Sequence, residues 1–299
     1  MEKAIGIDIG GTKIAAGIIN KQGELENSFE IPSIPDDSEG LFRAIVSLIK
    51  KLLMESKIEQ KDLSLGIGIP GLVDTEQGVA VFQNNLNWRD FPIVERLRSL
   101  FPEIPSIVID NDVYQAAFAE WYSLKLGRQD SLAFFTVSTG ISSPIIVGGK
   151  GIKGMGFAGE IGLTPVCLQG EKIRLEEAAS GPAIAKAGQL GYGVPTMTTA
   201  EVFNRYYAEE HLARKIIDDA ADALAQGVYT VISLIDPSKI IFGGSVMMKN
   251  PQLTERVKEK LEEKIIPIQR ESLARLELSQ YENNAGLIGA GLRALSEHK

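Results

Sequence analysis

The feature that most constrains this chain is an apolar run that ends in a carboxylate and two glycines, Ile-Gly-Ile-Asp-Ile-Gly-Gly-Thr-Lys at residues 5–13. The apolar residues predict a buried strand that ends near Asp8. Gly10 and Gly11 permit a tight turn whose backbone N–H groups can approach an anion closely. A carboxylate beside such a turn suits a phosphate-bound divalent cation, because these cations prefer oxygen ligands. The residues therefore favour a nucleotide-phosphate loop.

The same residues also permit a simpler structure, since Gly-Gly between apolar strands is typical of a β-hairpin. The spacing from the glycines to Lys13 is too short for a Walker A loop, and the stretch is not GxGxxG. These residues alone support the hairpin and the phosphate loop equally.

Composition limits the classes of protein to which the chain can belong. At 299 residues it is long enough for two domains, each with its own core. The single cysteine, Cys167, excludes a disulfide framework and a cysteine-rich zinc site. A net charge of −8 argues against a nucleic-acid surface, and no apolar run reaches the length of a membrane span. We therefore expect a cytoplasmic protein with neither nucleic acid nor membrane as a partner.

Strand and helix patterns alternate along the chain and then restart near residue 132. A three-strand meander followed by alternating strands and helices predicts a mixed sheet covered by helices. Predicted strands are 4–9, 14–19, 25–31, 65–69, 107–109, 132–137, 145–147, 240–242 and 273–279, and predicted helices are 40–55, 91–100, 113–126, 175–190, 211–235, 252–264 and 285–295.

The two halves of the chain resemble each other in how they begin. Each opens with a strand that meets a turn of small residues, Asp8–Thr12 in one half and Ser138–Gly140 in the other. Two such turns suggest a nucleotide held in a cleft between two lobes.

Several carboxylates and amides are candidates for chemistry. Asp112 follows an apolar strand, where it could accept a proton from a substrate hydroxyl or simply cap the next helix. Glu160 lies in a glycine-rich turn, and Glu176 opens a helix, where negative charge is favoured. The run Asn84–Trp88 offers amides beside an aromatic ring, which suits a sugar, although it could equally be a polar loop with an anchored tryptophan.

Taken together, these motifs resemble those of the ROK family of bacterial sugar kinases and related repressors. The matching segments, in family order, are Asp8–Lys13, Ile69–Gly71, Asn85–Trp88, Asn111-Asp112, Thr139-Gly140, Ala158–Gly162, Leu175-Glu176, Ser180-Gly181, Gly243-Gly244 and Ala285–Ala290. The resemblance covers nearly the whole chain.

The resemblance implies an α/β, two-lobed, actin-like ATPase (ribonuclease H-like) fold with mixed sheets flanked by helices. Residues 1–112, completed by a C-terminal helix at about 285–299, would form the N-terminal lobe, and 113–284 the larger C-terminal lobe. ATP, Mg²⁺ and a sugar would bind in the cleft between them. The family's repressors carry an extra N-terminal helix-turn-helix, for which a first strand starting by Ala4 leaves no room.

The resemblance also assigns roles to residues. Asp112 would be the catalytic base that deprotonates the sugar 6-hydroxyl, and Asp8 would lie near the phosphate-bound Mg²⁺. The groups expected around ATP and its phosphates are Asp8, Gly10, Gly11, Thr12, Lys13, Thr139, Gly140, Gly243 and Gly244. The groups expected on the sugar are Gly71, Asn85, Asn111, Asp112, Glu160 and Glu176.

The chain departs from the family at three places. Leu163 stands where the family usually has a histidine that touches both sugar and zinc. The cysteine-rich zinc segment is missing, with Arg174 in place of one cysteine, so we expect no structural zinc and a loop 164–174 held by packing and hydrogen bonds. Ile141-Ser-Ser-Pro144 replaces a glycine run, and Pro144 lacks an N–H donor.

These departures leave two hypotheses for the function. The first is an ATP-dependent kinase that phosphorylates the 6-hydroxyl of glucose, N-acetylmannosamine or a β-glucoside, since Leu163 leaves room for a substituent at C1 or C2. The alternative is a catalytically weak sugar-binding or regulatory protein of the same fold without a DNA-binding domain. Because the family often forms dimers, we expect a homodimer.

Overall fold

The computed structural model describes residues 2–83, 86–281 and 284–296. The chain divides into two compact units. The first unit comprises Met1–Leu126 and Asn283–Lys299, and the second comprises Gly127–Glu282. Within the described residues, no helix is both long enough and apolar enough to cross a membrane.

The strands and helices follow the predicted alternation. In chain order, the strands within the described residues are β1 (Lys3–Ile9), β2 (Lys13–Asn20), β3 (Leu25–Pro32), β4 (Leu63–Ile69), β5 (Leu72–Asp74), β6 (Val79–Phe82), β7 (Arg89–Phe91), β8 (Ile107–Asn111), β9 (Ser131–Val137), β10 (Ile141–Ser142), β11 (Ile145–Val147), β12 (Lys150–Gly151), β13 (Pro165–Leu168), β14 (Glu171–Arg174), β15 (Lys239–Gly243) and β16 (Leu276–Leu278). The α-helices are α1 (Ser38–Ser56), α2 (Ile93–Leu100), α3 (Asp112–Ser123), α4 (Leu175–Ala179), α5 (Gly181–Tyr192), α6 (Thr199–Tyr207), α7 (His211–Ile235), α8 (Ser245–Lys249), α9 (Gln252–Glu262) and α10 (Ala285–Ser296).

The first unit is built on a five-stranded mixed sheet in the order β3-β2-β1-β4-β8. Its central strand β1 pairs antiparallel with β2 and parallel with β4, and Asp8 lies opposite Gly68 of β4. Helix α1 presents the apolar residues predicted from its spacing, Leu41, Ile45, Leu48 and Leu52, all of which are buried. Full burial of one such side chain contributes about 1.5–3 kcal/mol, so this face fixes the helix on its unit.

Helix α10 makes close backbone contacts with the other elements of the first unit. The ideal Cβ position of Gly66 in β4 would lie 1.8 Å from the carbonyl oxygen of Ala290. The ideal Cβ position of Gly289 would lie 1.7 Å from the carbonyl oxygen of Gln115 in α3. Because any side chain at either glycine would overlap backbone atoms, helix, strand and α3 can approach this closely only where these residues are glycine.

The second unit repeats the pairing pattern of the first. Its main sheet has the order β12-β11-β9-β15-β16, with the short β10 also paired to β9. Strand β9 pairs antiparallel with β11 and parallel with β15, as β1 does with β2 and β4. The long helix α7 buries Ile217, Ala221, Leu224 and Val228 along one face. The predicted restart of the strand pattern near residue 132 is thus confirmed.

Two predicted elements differ from the structure. The helix predicted at 175–190 is two helices, because Ser180 is extended (φ −70°, ψ 164°) and its hydroxyl accepts a hydrogen bond from the Ala183 N–H at the start of α5. The strand predicted at 273–279 is shorter, since a 3₁₀ helix occupies Pro267–Arg275 and leaves only β16.

Several further elements are absent from the sequence prediction, and the largest are α6, the β13–β14 hairpin and the small sheet β5-β6-β7. Helix α6 carries a capping box in which the Thr198 hydroxyl and the Glu201 carboxylate satisfy each other's backbone N–H groups. The β13–β14 hairpin turns at Gln169-Gly170, both with positive φ, as a two-residue type I′ turn requires. The strands of the small sheet β5-β6-β7 were not predicted either. The capping box was readable from its Thr-x-x-Glu spacing.

Candidate active site

The Asp8–Lys13 motif is a hairpin turn between β1 and β2. The N–H of Gly10 donates to the carbonyl of Lys13 over 2.8 Å, and the two strands pair antiparallel. The hairpin interpretation is therefore confirmed, and it leaves Gly11 partly buried and Thr12 exposed at the tip. The Lys13 ammonium forms an ion pair with Glu30 of β3 at 2.6 Å. The role of the turn as a phosphate loop stays a prediction.

Asp8 and Asp112 form a pair of carboxylates in the first unit. Burial, together with the nearby Asp112 carboxylate, raises the pKa of Asp8 from 3.8 to about 7, and Lys13 opposes the shift. Asp112 is the first residue of α3, and its Oδ1 accepts a hydrogen bond from the Val113 N–H at 2.9 Å. The helix cap is Asn111, whose Oδ1 accepts from the N–H groups of Val113 and Tyr114. Asp112 is therefore not the cap of α3.

Asn111 also reaches the Ile69–Gly71 segment. Its Nδ2 donates to the carbonyl oxygen of Gly71 over 3.0 Å, so two predicted sugar groups lie together. Asn85 lies outside the described residues. Trp88 is fully buried, stacks on Phe91 with ring centroids 4.5 Å apart, and donates its indole N–H to the Ser38 carbonyl. Trp88 is therefore anchored in the core, and the sugar-binding role of this segment stays a prediction.

In the second unit, the Ser138–Gly140 turn lies at the end of β9. The Ser138 N–H donates to the Gly140 carbonyl over 3.0 Å, and Thr139 is exposed. Gly244, with φ +84°, lies against the same end of β9, because its ideal Cβ position would be 2.5 Å from the Val137 carbonyl oxygen. The two turns predicted to bind the nucleotide on this side, Thr139-Gly140 and Gly243-Gly244, are thus adjacent.

The departure at residues 141–144 is ordered. Ile141 and Ser142 form β10, and the Ser143 N–H donates to the Gly159 carbonyl over 2.6 Å. The Ser143 hydroxyl is buried and has no hydrogen-bond partner among the residues that the structure describes. This segment therefore joins the nucleotide turn to the Ala158–Gly162 segment without the glycine run of the family.

Glu160 and Glu176 form the second pair of carboxylates. Burial raises the pKa of Glu160, and the Glu176 carboxylate raises it further. Glu176 lies in the first turn of α4, with Oε2 3.5 Å from the ideal Cβ position of Gly140. The adjacent Glu177 has a different task, since its carboxylate accepts from the Arg174 N–H and caps the helix. The structure thus brings together the second-unit groups predicted to bind sugar and nucleotide.

The segment that corresponds to the zinc-binding segment of the family is a β-hairpin in this chain. Cys167 is exposed in β13. Across residues 2–83, 86–281 and 284–296, no cluster of three or more His, Cys, Asp or Glu side chains could hold a metal ion. Val166 is buried in the core of the second unit, with Ile173 packed against it, and the Leu175 N–H donates to the Thr164 carbonyl. The prediction that packing and hydrogen bonds hold this segment is confirmed. Leu163, at the family's histidine position, is 47% exposed.

Sequence reasoning missed the role of Gly286 in α10. Its ideal Cβ position would lie 2.9 Å from both Cγ and Oδ2 of Asp8. Only a glycine therefore leaves the Asp8 carboxylate room against the first turn of α10. The sequence shows small and apolar residues at 285–291, and this pattern indicates ordinary close helix packing equally well.

Comparison with known proteins agrees with this arrangement. The ROK family model matches residues 4–297. An N-acetylmannosamine kinase from Escherichia coli O7:K1 is 31% identical over 98% of each chain, and a glucokinase from Halalkalibacterium halodurans is 27% identical over 96% of this chain and 93% of its own. The crystal structure of a ROK family glucokinase from Streptomyces griseus in complex with glucose and AMPPNP has a TM-score of 0.79 and 26% identity, covering 98% of this chain and 99% of that one. The predicted actin-like ATPase fold is confirmed.

The contact between Gly286 and Asp8 generates the first prediction. In Gly286→Ala, the added methyl group displaces the Asp8 carboxylate, so binding of Mn²⁺ in the presence of AMPPNP weakens by about tenfold or more. Electron paramagnetic resonance titration of free Mn²⁺ measures this affinity. The matched control is Gly291→Ala, about one and a half turns along α10, where the atoms nearest to the added methyl group belong to the Ile19 side chain and not to Asp8. Equal Mn²⁺ affinity in both variants would contradict the assignment.

The raised pKa of Glu160 generates a prediction about pH. A carboxyl group whose pKa is raised on folding favours the folded state below its ordinary pKa of 4.5 and loses that contribution as pH rises through the raised value. Glu160→Gln removes a partly desolvated charge that faces Glu176, so we expect this variant to unfold at a slightly higher temperature than the wild type at pH 8 and at an equal temperature at pH 4. Calorimetry measures both, with exposed Glu171→Gln as the control. A lower unfolding temperature at pH 8 would contradict it.

Proposed function

Because the chain belongs to the ROK family, we propose that it is an ATP-dependent sugar kinase that transfers the γ-phosphate of ATP to the 6-hydroxyl of a hexose-type sugar. The observation that carries the proposal is the Asp8–Asp112 carboxylate pair, with one member at the end of a central strand and the other at the start of a helix. Relatives named as sugar kinases over nearly their whole length support this function over the regulatory alternative.

Asp112 is proposed as the general base. Its carboxylate accepts the proton of the sugar 6-hydroxyl as that oxygen attacks phosphorus. The Asn111 cap holds the first turn of α3 from both sides, through the Val113 N–H and the Gly71 carbonyl. The Asp112 carboxylate is therefore fixed at the helix start, which is the positioning that phosphoryl transfer needs most.

Asp8 is proposed to hold Mg²⁺ together with the phosphates of ATP. Its carboxylate offers the hard oxygen ligand that Mg²⁺ prefers, and one or two carboxylates plus phosphates is the usual donor set for this ion. The raised pKa of Asp8 fits a cation site, because it reflects a buried carboxylate beside a second one, with too little positive charge to compensate. When bound, Mg²⁺ supplies positive charge that neutralises the transferring phosphate.

The remaining groups are proposed to bind the two substrates. Backbone N–H groups of the turns are suited to phosphates, and carboxylates and amides to sugar hydroxyls. The nucleotide groups are Gly10, Gly11, Thr12, Lys13, Thr139, Gly140, Gly243 and Gly244, and the sugar groups are Gly71, Asn85, Asn111, Glu160 and Glu176. We further propose that the enzyme is a homodimer and acts in the cytoplasm, where ATP is available.

The role of Asp112 is tested by Asp112→Asn. The amide keeps the size of the side chain but cannot accept the proton, so sugar-dependent ATP consumption should fall by about a hundredfold or more. Sugar affinity, measured by isothermal titration calorimetry, should change little. A coupled assay over glucose, mannose, fructose, N-acetylmannosamine, N-acetylglucosamine and cellobiose provides the wild-type reference. Absence of turnover by the wild type with every sugar would favour the regulatory alternative.

The exposed Leu163 generates a prediction about substrate choice. It lies three residues after Glu160, and its backbone N–H donates to the Glu160 carbonyl over 3.1 Å. We propose that its apolar side chain tolerates a substituent on the sugar, as in N-acetylmannosamine or a β-glucoside. Leu163→His should shift the ratio of kcat/KM values toward unsubstituted glucose by about tenfold, as gain of one hydrogen bond allows. Val147→His, at an exposed apolar residue of β11, should leave the ratio unchanged.

A further inference from the structure

A single hairpin joins the two carboxylates of the second unit. Glu160 is followed by a 3₁₀ turn at Ile161–Leu163, then by β13 and β14, and α4 with Glu176 begins at the next residue. The chain between the carboxylates therefore consists almost entirely of this hairpin. Two strands of four residues are marginally stable by themselves, so an outside contact must fix their place.

The side chain of Gln226 on α7 makes such a contact. The Cys167 N–H donates to Gln226 Oε1 over 2.8 Å, and Gln226 Nε2 donates back to the Cys167 carbonyl over 2.8 Å. Cys167 lies opposite Lys172 in the hairpin, and both of its backbone groups are turned to α7. The amide thus pairs with β13 as a neighbouring strand would, through one donor and one acceptor.

Other side chains hold Gln226 and the hairpin in the same place. Gln226 Nε2 also donates to Asp222 Oδ2 over 2.8 Å, and Asp222 Oδ1 forms an ion pair with Lys264 at 2.6 Å. At the hairpin turn, Gln169 Nε2 donates to Asp219 Oδ2 over 2.7 Å. These contacts fix the orientation of the amide, because its donor group is shared between the hairpin and its own helix.

The next residue of α7 contacts α4. The ideal Cβ position of Gly227 would lie 2.6 Å from Cδ2 of Leu175, and Leu175 is fully buried. Leu175 immediately precedes Glu176. Two successive residues of α7 therefore locate the hairpin that leads from Glu160 and the helix start that carries Glu176.

We propose that Gln226 is a positioning residue for the Glu160–Glu176 pair and sets the geometry of the sugar subsite by tethering β13 to α7. The inference rests on the proposed function, in which these carboxylates bind sugar. The amide makes a tether that needs no metal, in the segment where the resemblance would place cysteine ligands. Its loss should leave the nucleotide turns in place, because they lie at the ends of β9 and β15.

The test compares Gln226→Ala and Gln226→Glu with the control Thr230→Ala. Glutamate keeps the acceptor for Cys167 but puts a carboxylate against the Cys167 carbonyl and Asp222. Thr230 lies one turn further along α7, and its hydroxyl donates to the Gln226 backbone carbonyl, so it shares the helix without touching the hairpin. Sugar affinity is measured by calorimetry, KM for sugar and for ATP by coupled assay, and backbone mobility by hydrogen–deuterium exchange.

Both Gln226 variants should weaken sugar binding and raise KM for sugar by about tenfold, because each loses the hydrogen bonds from Gln226 Nε2 to the Cys167 carbonyl and to Asp222, while KM for ATP stays within about twofold. Exchange should accelerate in residues 165–176, and Thr230→Ala should match the wild type. Gln226 variants with wild-type sugar affinity and exchange would overturn the proposal. So would a wild-type protein that holds one zinc per chain and shows the same loss on chelation.

Failure of the proposed function gives a different result. In that case the wild type itself neither binds nor phosphorylates any sugar of the panel, and the sugar subsite falls with it. Accelerated exchange at residues 165–176 in the Gln226 variants would then support the tether alone and refute its role in sugar binding. If Gln226→Ala does not fold, Gln226→Glu, which preserves the size of the side chain, supplies the same comparison.

Discussion

The backbone contact of α10 with β4 and α3 in the first unit is the constraint on which the proposed chemistry depends. At Gly66 and Gly289 the helix, a strand and α3 meet with no room for a side chain. Asp8 lies in β1, which pairs with the strand of Gly66, and Asp112 begins α3. Close packing of this kind transmits displacement, because protein interiors deform little. Contacts at glycine therefore help to place α3, which carries Asp112, and the sheet that carries Asp8.

Each unit holds one pair of carboxylates, and the same two physical effects act in both pairs. In both, burial and a like charge raise the pKa of one member, Asp8 in the first unit and Glu160 in the second. Such pairs cost stability in the empty protein, and the structure around them must supply that free energy. They become favourable when a ligand brings what the unit lacks. In the proposed function, a cation satisfies the first pair, and sugar hydroxyls satisfy the second.

Sequence reasoning predicted the mixed sheets, the repeated strand pattern and the order of the motifs, because these depend on local periodicity and on short runs of special residues. It missed the contacts made by residues distant along the chain. Nothing near Gly286 shows that its hydrogen faces Asp8, and nothing near Gln226 shows that its amide pairs with Cys167. The prediction of a single helix at 175–190 was wrong for a similar reason. The apolar spacing continues across Ser180, but the hydroxyl of this residue caps a new helix. Asn85 lies outside the described residues, so its role stays a prediction.

The place of α10 in the first unit has a consequence for the order of folding. The second unit is made of one continuous stretch, whereas the first needs residues from both sides of that stretch. During synthesis the second unit can complete its core while the first still lacks the helix that packs on β1 and β4. Asp8 leaves the ribosome before the second unit and meets Gly286 only when α10 has followed. The approach of Gly286 to Asp8, at the proposed cation site, can therefore form only after the whole second unit has been synthesised.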